Sequence, residues 1–155
     1  MPGVEARLAE LGITLPEVAP PVASYVPAVI TGSYVYTSGQ LPFIEGKLPA
    51  SGKVGAADGV DAETATALAA TCAVNALAAI KSQLGTLDRV TRIVKVVGFV
   101  ASDPSFTGQP GVINGASDLL GAVFGDAGIH ARSAVGVAVL PLDSAVEVEV
   151  IAEFV

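Results

Sequence analysis

Few residues in this chain could do chemistry, and Arg132 stands out among them. It lies in HARSAVGVAVL, at the mouth of an otherwise apolar run. A guanidinium is costly there unless it is paired. Its planar fork of donors suits a carboxylate, which it can hold through two parallel hydrogen bonds. That carboxylate could belong to a small ligand, or to Glu147 or Glu149 in the next apolar run; residue chemistry alone leaves both open. Glu149 sits inside the valine-rich segment VEVEVIA. It is either the solvated face of a strand or a carboxylate that positions water and carries a proton. Tyr25 and Asn114 are single polar residues near turns and say little by themselves.

Other chemistries are excluded by what is missing. One His and one Cys cannot build a zinc site of the usual kinds. No GxxxxGK[ST] motif and no GxGxxG after a strand is present, so no nucleotide-phosphate cradle is expected. A Ser-His-Asp triad would have to use His130, the only histidine, and nothing resembles a nucleophile elbow. His130 reads as a loop residue before a strand. Cys72 cannot form an intramolecular disulfide and lies in an apolar helical run, where an inert core thiol is expected. We therefore expect no metal and no cofactor.

The elements that must position these residues follow from periodicity. The 155 residues suit one domain, 1–155, with 1–21 as an N-terminal helix and Pro-rich lead-in. Residues 4–11 read as a short helix stopped by Gly12, followed by extended LPEVAPP. AVIT and YVYTSGQ, joined by Gly32-Ser33, read as a β-hairpin with a II′ turn. Residues 42–59 form a loop. Residues 61–84 read as the main helix, capped by Asp61 or Asp58, with Leu68, Cys72, Leu77 and Ile80 near one stripe and Gly85 at its end. Residues 87–101 form a central strand. Val90, Val94, Val96 and Val100 are expected on one face, and Ile93, Val97 and Phe99 on the other. After a linker over 102–109, Pro110 suits the first position of a second helix to Phe124. Its apolar stripe is Val112, Ala116, Leu119, Leu120 and Val123. Strands over 133–139 and 145–155 complete the chain, the last alternating Val146, Val148, Val150, Ala152 and Phe154 against Glu147, Glu149 and Glu153.

This order, hairpin–helix–strand–helix–strand–strand, makes an α+β domain with two helices on one face of a mixed sheet. Several strands are apolar on both sides. The composition is 52% hydrophobic and only 15% charged, which points to a second copy covering the other face. The net charge is −7 with scattered Lys and Arg, which disfavours nucleic acid and anionic membranes as partners. The opening residues do not pattern as a signal peptide, and the helical uncharged run at 64–80 falls short of a membrane span. A cytoplasmic protein is the expectation.

Four segments carry a resemblance. They are Ser24-Tyr25 with YTSGQLP, LDRVTRIVKVVGFV after the main helix, VINGASDLLGAVFG, and HARSAVGVAVLPLDSAVEVEVIAEF. Together, in this order, the chain resembles the Rid (reactive intermediate deaminase, or YjgF) family from residue 22 onward. The resemblance implies a chorismate-mutase-like fold and a homotrimer with clefts between subunits. It implies hydrolysis of enamines and imines such as 2-aminoacrylate to a 2-keto acid and ammonia. By position, Arg132 matches the arginine that grips the substrate carboxylate, and Glu149 the glutamate associated with the hydrolytic water. Tyr25, Ser38 and Asn114 match residues lining the cleft, with Gly39 beside it. Ala134 stands where many deaminating members carry cysteine, so a thiol contribution is excluded while backbone groups remain. His130 stands where proline is common. The N-terminal helix and the loops over 47–59 and 104–109 lengthen the chain, as in a less-characterised branch. Two competing expectations are a module that binds a small carboxylate without turnover, and a ribonuclease, against which the acidic charge argues.

Overall fold

The alternation of valines and the capped, alanine-rich run resolve into a sheet and two packed helices. A computed structural model describes residues 3–18 and 24–155. Its elements are α1 (Val4–Glu10), β1 (Ala28–Thr31), β2 (Tyr34–Thr37), α2 (Ala62–Leu84), β3 (Val90–Ala101), α3 (Gln109–Phe124), β4 (Ala131–Val137) and β5 (Val146–Phe154). The strands form one sheet in the order β1-β2-β5-β3-β4, in which β3 and β4 are parallel and the other neighbours antiparallel. The α+β class and the element order are as expected. The hairpin turns at Gly32, whose φ of 55° is open to glycine at little cost. The end of the Pro-rich passage, residues 19–21, lies outside the described residues.

Helix α2 begins where Asp61 accepts the Thr64 N–H at 2.7 Å, which satisfies one of the free donors of the first turn. Leu68, Cys72, Leu77 and Ile80 are all buried, as the stripe requires. By length and composition α2 could cross a membrane, but its apolar side is packed against the sheet and α3, as in a core helix. Helix α3 starts one residue earlier than expected, so Pro110 is its second residue. Ile113 is fully buried beside the expected stripe, while Leu119 is only partly so.

The helices cover one face of the sheet. Val35, Ile93, Val96, Val100, Val146, Val148, Val150 and Ala152 lie under them with at most 1% exposure. Each of the buried Val and Ile side chains contributes about 1.5–3 kcal/mol relative to exposure. On the other face, Tyr34, Tyr36, Val97, Phe99, Val135, Glu147, Glu149, Ile151 and Glu153 have no layer over them among the described residues.

Strand β3 corrects the sequence reading in two ways. Leu87–Arg89 is a 3₁₀ turn rather than strand, with Leu87 buried in the core. The register of β3 against β5 slips between Val90 and Arg92 and again between Ile93 and Lys95. An extra residue at a bulge reverses the side-chain alternation. Ile93 therefore joins Val96 and Val100 beneath the helices, and Val94 turns to the open face. Strand β4 begins at Ala131 and ends at Val137, two residues ahead of the expected bounds at each end.

The long loop is tied down rather than loose. Val54 is fully buried, its N–H donates to Ala101 and its carbonyl accepts from Asp103. Helix α1 is latched through Glu5, which accepts from the Leu87 N–H and from Lys81.

Candidate functional site

Arg132 is the second residue of β4 and lies opposite Val96 in parallel register. Partners in a parallel pair share a face, so Arg132 projects toward the helix layer. Its Nη1 donates to Asn114 Oδ1 at 2.7 Å and to Ser117 Oγ at 3.2 Å, both on α3. It pairs with neither Glu147 nor Glu149. Strand β3 separates β4 from β5, and both glutamates project from the opposite face. The ion pairs among the described residues are Arg7–Glu10 and Lys81–Glu5. The Nε and Nη2 hydrogens of Arg132 thus have no protein acceptor among the described residues, and the group is only partly buried. An open guanidinium edge of this kind can take a carboxylate.

The position of α3 fixes this edge. Ile113 packs onto Gly98 of β3, where a Cβ would come within 2.4 Å of the Ile113 side chain. Gly115 lies against α2, where a Cβ would fall 1.9 Å from the Thr66 carbonyl oxygen. Asn114 is held between these two close approaches. Because arginine only donates, the Asn114 oxygen faces it and the amide Nδ2 remains available. Ala134 shares this face two residues beyond Arg132, its methyl packed against the core.

Two residues without an assigned role complete the cluster. Ser117 Oγ lies 2.9 Å from His130 Nε2, and His130 Nδ1 lies 2.6 Å from the Gly128 carbonyl oxygen. Both lie in segments that carry the resemblance, yet neither has a role assigned by it. The only signal in the sequence is that Asn114 and Ser117 are three apart on one helix face, which a helical reading could have offered as a pair. His130 also lines a depression of about 380 Å³ with Tyr34, Arg92, Val94, Ile129, Ala131 and Glu153. Arg132 is not among the residues that line this depression.

The remaining candidates gather elsewhere. Ser38 Oγ donates to the Val26 carbonyl at 2.6 Å and its N–H to Pro27, which fastens the segment carrying Tyr25. Tyr25 itself is 65% exposed and is not joined to the Arg132 cluster. Gly39 is crossed by a carboxylate, but that of Glu147: a Cβ at Gly39 would lie 2.0 Å from Glu147 Oε1. Glu147 is partly buried, and burial, then the charge of Glu149, push its carboxyl above its ordinary value. Glu149 projects from the same face of β5, two residues on. Within one chain, then, Arg132, Asn114 and Ala134 occupy the helix side, while Gly39, Glu147 and Glu149 meet on the open side. No group of three or more metal-ligating side chains occurs among the described residues.

The family described as YjgF/chorismate mutase-like, "putative endoribonuclease", matches residues 5–154. Protein TCP17 of Trypanosoma cruzi is 47% identical over 151 residues, covering 97% of this chain and 93% of that protein. The crystal structure of Atu1372 from Agrobacterium tumefaciens, a protein of unknown function, is 48% identical with a TM-score of 0.89, over 98% of this chain and 93% of that one. Escherichia coli TdcF, solved with bound serine, is 26% identical with a TM-score of 0.63, over 91% of this chain and 94% of its own. With its sheet order, its helix layer and almost its whole length accounted for, the chain belongs to the YjgF/chorismate mutase-like family.

Proposed function

We propose that the protein hydrolyses small enamines and imines that carry a carboxylate, 2-aminoacrylate among them, to a 2-keto acid and ammonia. The observation that carries this reading is the Arg132 guanidinium, ordered by Asn114 and Ser117 yet left with an unused donor edge. An acidic protein needs a placed cation to hold a small anion. The serine bound to TdcF is a small molecule of this carboxylate class.

The chemistry asks little more. The enamine tautomerises to the imine, whose carbon is electrophilic without further activation. Water adds there as one of its protons passes to the imine nitrogen, and the carbinolamine collapses to the keto acid as its hydroxyl loses a proton and its nitrogen gains a second and leaves as ammonia. A carboxylate that accepts a proton and returns it serves both steps. Glu147 suits this better than Glu149, because it is the carboxyl held above its ordinary value against Gly39. Glu149 then acts through its charge.

Arg132 and Glu147 project from opposite faces of one sheet, so a site using both draws them from two copies of the chain. A homotrimer with clefts between subunits satisfies this and covers the open face. The test is pyruvate release from 2-aminoacrylate made in situ. Arg132→Ala and Glu147→Gln are expected to lose most activity, and Glu149→Gln to keep more. Unchanged rates in Arg132→Ala overturn the reading.

A second reading is favoured by Ala134, which brings no thiol to the cleft. The same site would bind a small carboxylate without turning it over. Tight pyruvate binding with no turnover across a panel of imines would select it. Ribonuclease activity, suggested by the family description, is opposed by the net charge of −7 and the scatter of basic residues.

A further inference from the structure

We infer that Ser117 and His130 form a brace that sets the orientation of Arg132, with His130 a positioning residue acting through Ser117. The inference deepens the proposed function, since it concerns the same guanidinium. It rests on a chain of contacts whose directions are fixed by what each atom can do. The Gly128 carbonyl can only accept, so His130 Nδ1 carries the hydrogen of their 2.6 Å contact. In the neutral ring Nε2 is then an acceptor. Arg132 can only donate, so Ser117 Oγ accepts from Nη1 at 3.2 Å and turns its own hydrogen to Nε2 at 2.9 Å. Every donor in the chain meets an acceptor, and one arrangement of hydrogens does this.

The consequence for Arg132 is geometric. Asn114 Oδ1 and Ser117 Oγ both draw on Nη1, which swings that nitrogen into α3 and leaves the Nε–Nη2 edge outward. A planar fork held at one corner by two acceptors loses little further freedom when a carboxylate docks on the opposite edge. Serine without a partner would have a rotating hydroxyl that could equally donate elsewhere. His130, itself pinned by Gly128, removes that freedom. The carboxylate chemistry alone requires neither residue.

The experiment has a part that needs no ligand. His130 is the sole histidine, so its ring nitrogens give unique signals in ¹⁵N-labelled protein. At pH 8 the long-range ¹H–¹⁵N pattern is expected to show the Nδ1–H tautomer. The Arg132 Nη1 hydrogens are expected as resolved signals that collapse to an average in Ser117→Ala and return in Ser117→Thr. The second part is pyruvate titration. Ser117→Ala and His130→Ala are expected to bind about threefold to tenfold more weakly, the loss of one supporting hydrogen bond. Ser117→Thr, and His130→Gln with its acceptor near the Nε2 position, are expected to stay within about twofold of wild type. Arg132→Ala is expected to lose binding. An Nε2–H tautomer overturns the brace, as does wild-type affinity in both alanine variants when Arg132→Ala has lost it. If Arg132→Ala binds pyruvate as wild type does, the proposed function fails, while the brace is still decided by the ligand-free signals.

Discussion

Replacing Gly115 by alanine should destabilise the protein, although glycine in a helix interior is ordinarily the weaker residue. Intrinsic preference alone would make Gly115→Ala stabilising by about 0.8–1 kcal/mol. The packing reverses the sign. A Cβ at 115 falls 1.9 Å from the Thr66 carbonyl oxygen and 2.9 Å from its carbon, both backbone atoms of α2. No rotamer change can relieve that contact, so α3 must withdraw by about 1 Å or more. Overpacking of this kind costs about 1–3 kcal/mol, and a clash with rigid backbone belongs at the upper end, so the net loss after the propensity gain is about 1–2 kcal/mol. For a chain of this length each kcal/mol moves the thermal midpoint by about 2–4 °C. The fall should therefore be about 2–8 °C, followed by circular dichroism at fixed protein concentration because assembly shifts the midpoint. Gly111 and Gly121 provide internal controls in the same helix, since a Cβ at either meets nothing within 4 Å. Alanine at those two positions should raise the midpoint. Activity should fall further than stability in Gly115→Ala, because α3 carries Asn114 and Ser117, and a 1 Å displacement of a binding group can cost about a hundredfold in rate. A midpoint that rises in Gly115→Ala as in the two controls would refute the close α2–α3 contact on which the placement of Arg132 depends.

Two further outcomes follow from one partly buried and one fully buried group. Glu147 has its carboxyl raised in the folded state, by burial first and then by Glu149, so its ionisation works against folding. The stability it permits is complete below its unfolded pKa and is lost as pH rises through the folded one. Glu147→Gln should therefore raise the thermal midpoint at neutral pH, by an amount that vanishes toward acid pH, while activity drops; a lower midpoint at neutral pH would contradict the assignment. Cys72 is fully buried, and burial, then the charge of Glu147, push its thiol well up. Alkylation by iodoacetamide should proceed only at the rate of global unfolding and accelerate in denaturant; rapid labelling of native protein would contradict the packing of α2.

Much of the fold was legible because local signals agreed with the global arrangement. Asp61 caps α2, Gly32 turns the hairpin, and β5 alternates without interruption, so element order and the helix-covered face could be read directly. What the sequence hid was strand neighbourhood. Arg132 and Glu149 sit on consecutive strands, which suggested a salt bridge, but β4 runs parallel beside β3 and never meets β5. Sequence adjacency does not fix which strands pair. The phase of β3 was hidden for a second reason: a bulge leaves no residue signature among so many valines, and each slip reverses the faces beyond it. At the site, Arg132 was legible as a costly guanidinium, while Asn114 entered only through the family resemblance; the structure joins them. Glu147 was not preferred over Glu149, because only the crossing of Gly39 distinguishes two glutamates spaced alike on one strand face. Ser117 was passed over and His130 was read as a loop residue, because a hydrogen-bond chain between a helix and a turn has no linear pattern.

The claim that Arg132 takes the substrate carboxylate is tested most directly by removing that carboxylate from the substrate. Turnover of the imine of pyruvate should be compared with that of the imine of acetaldehyde, in wild type and Arg132→Ala. A charge-assisted pair of hydrogen bonds should give wild type a preference of about tenfold to several-hundredfold for the carboxylated imine, and Arg132→Ala almost none. Equal preference in both proteins would contradict the account.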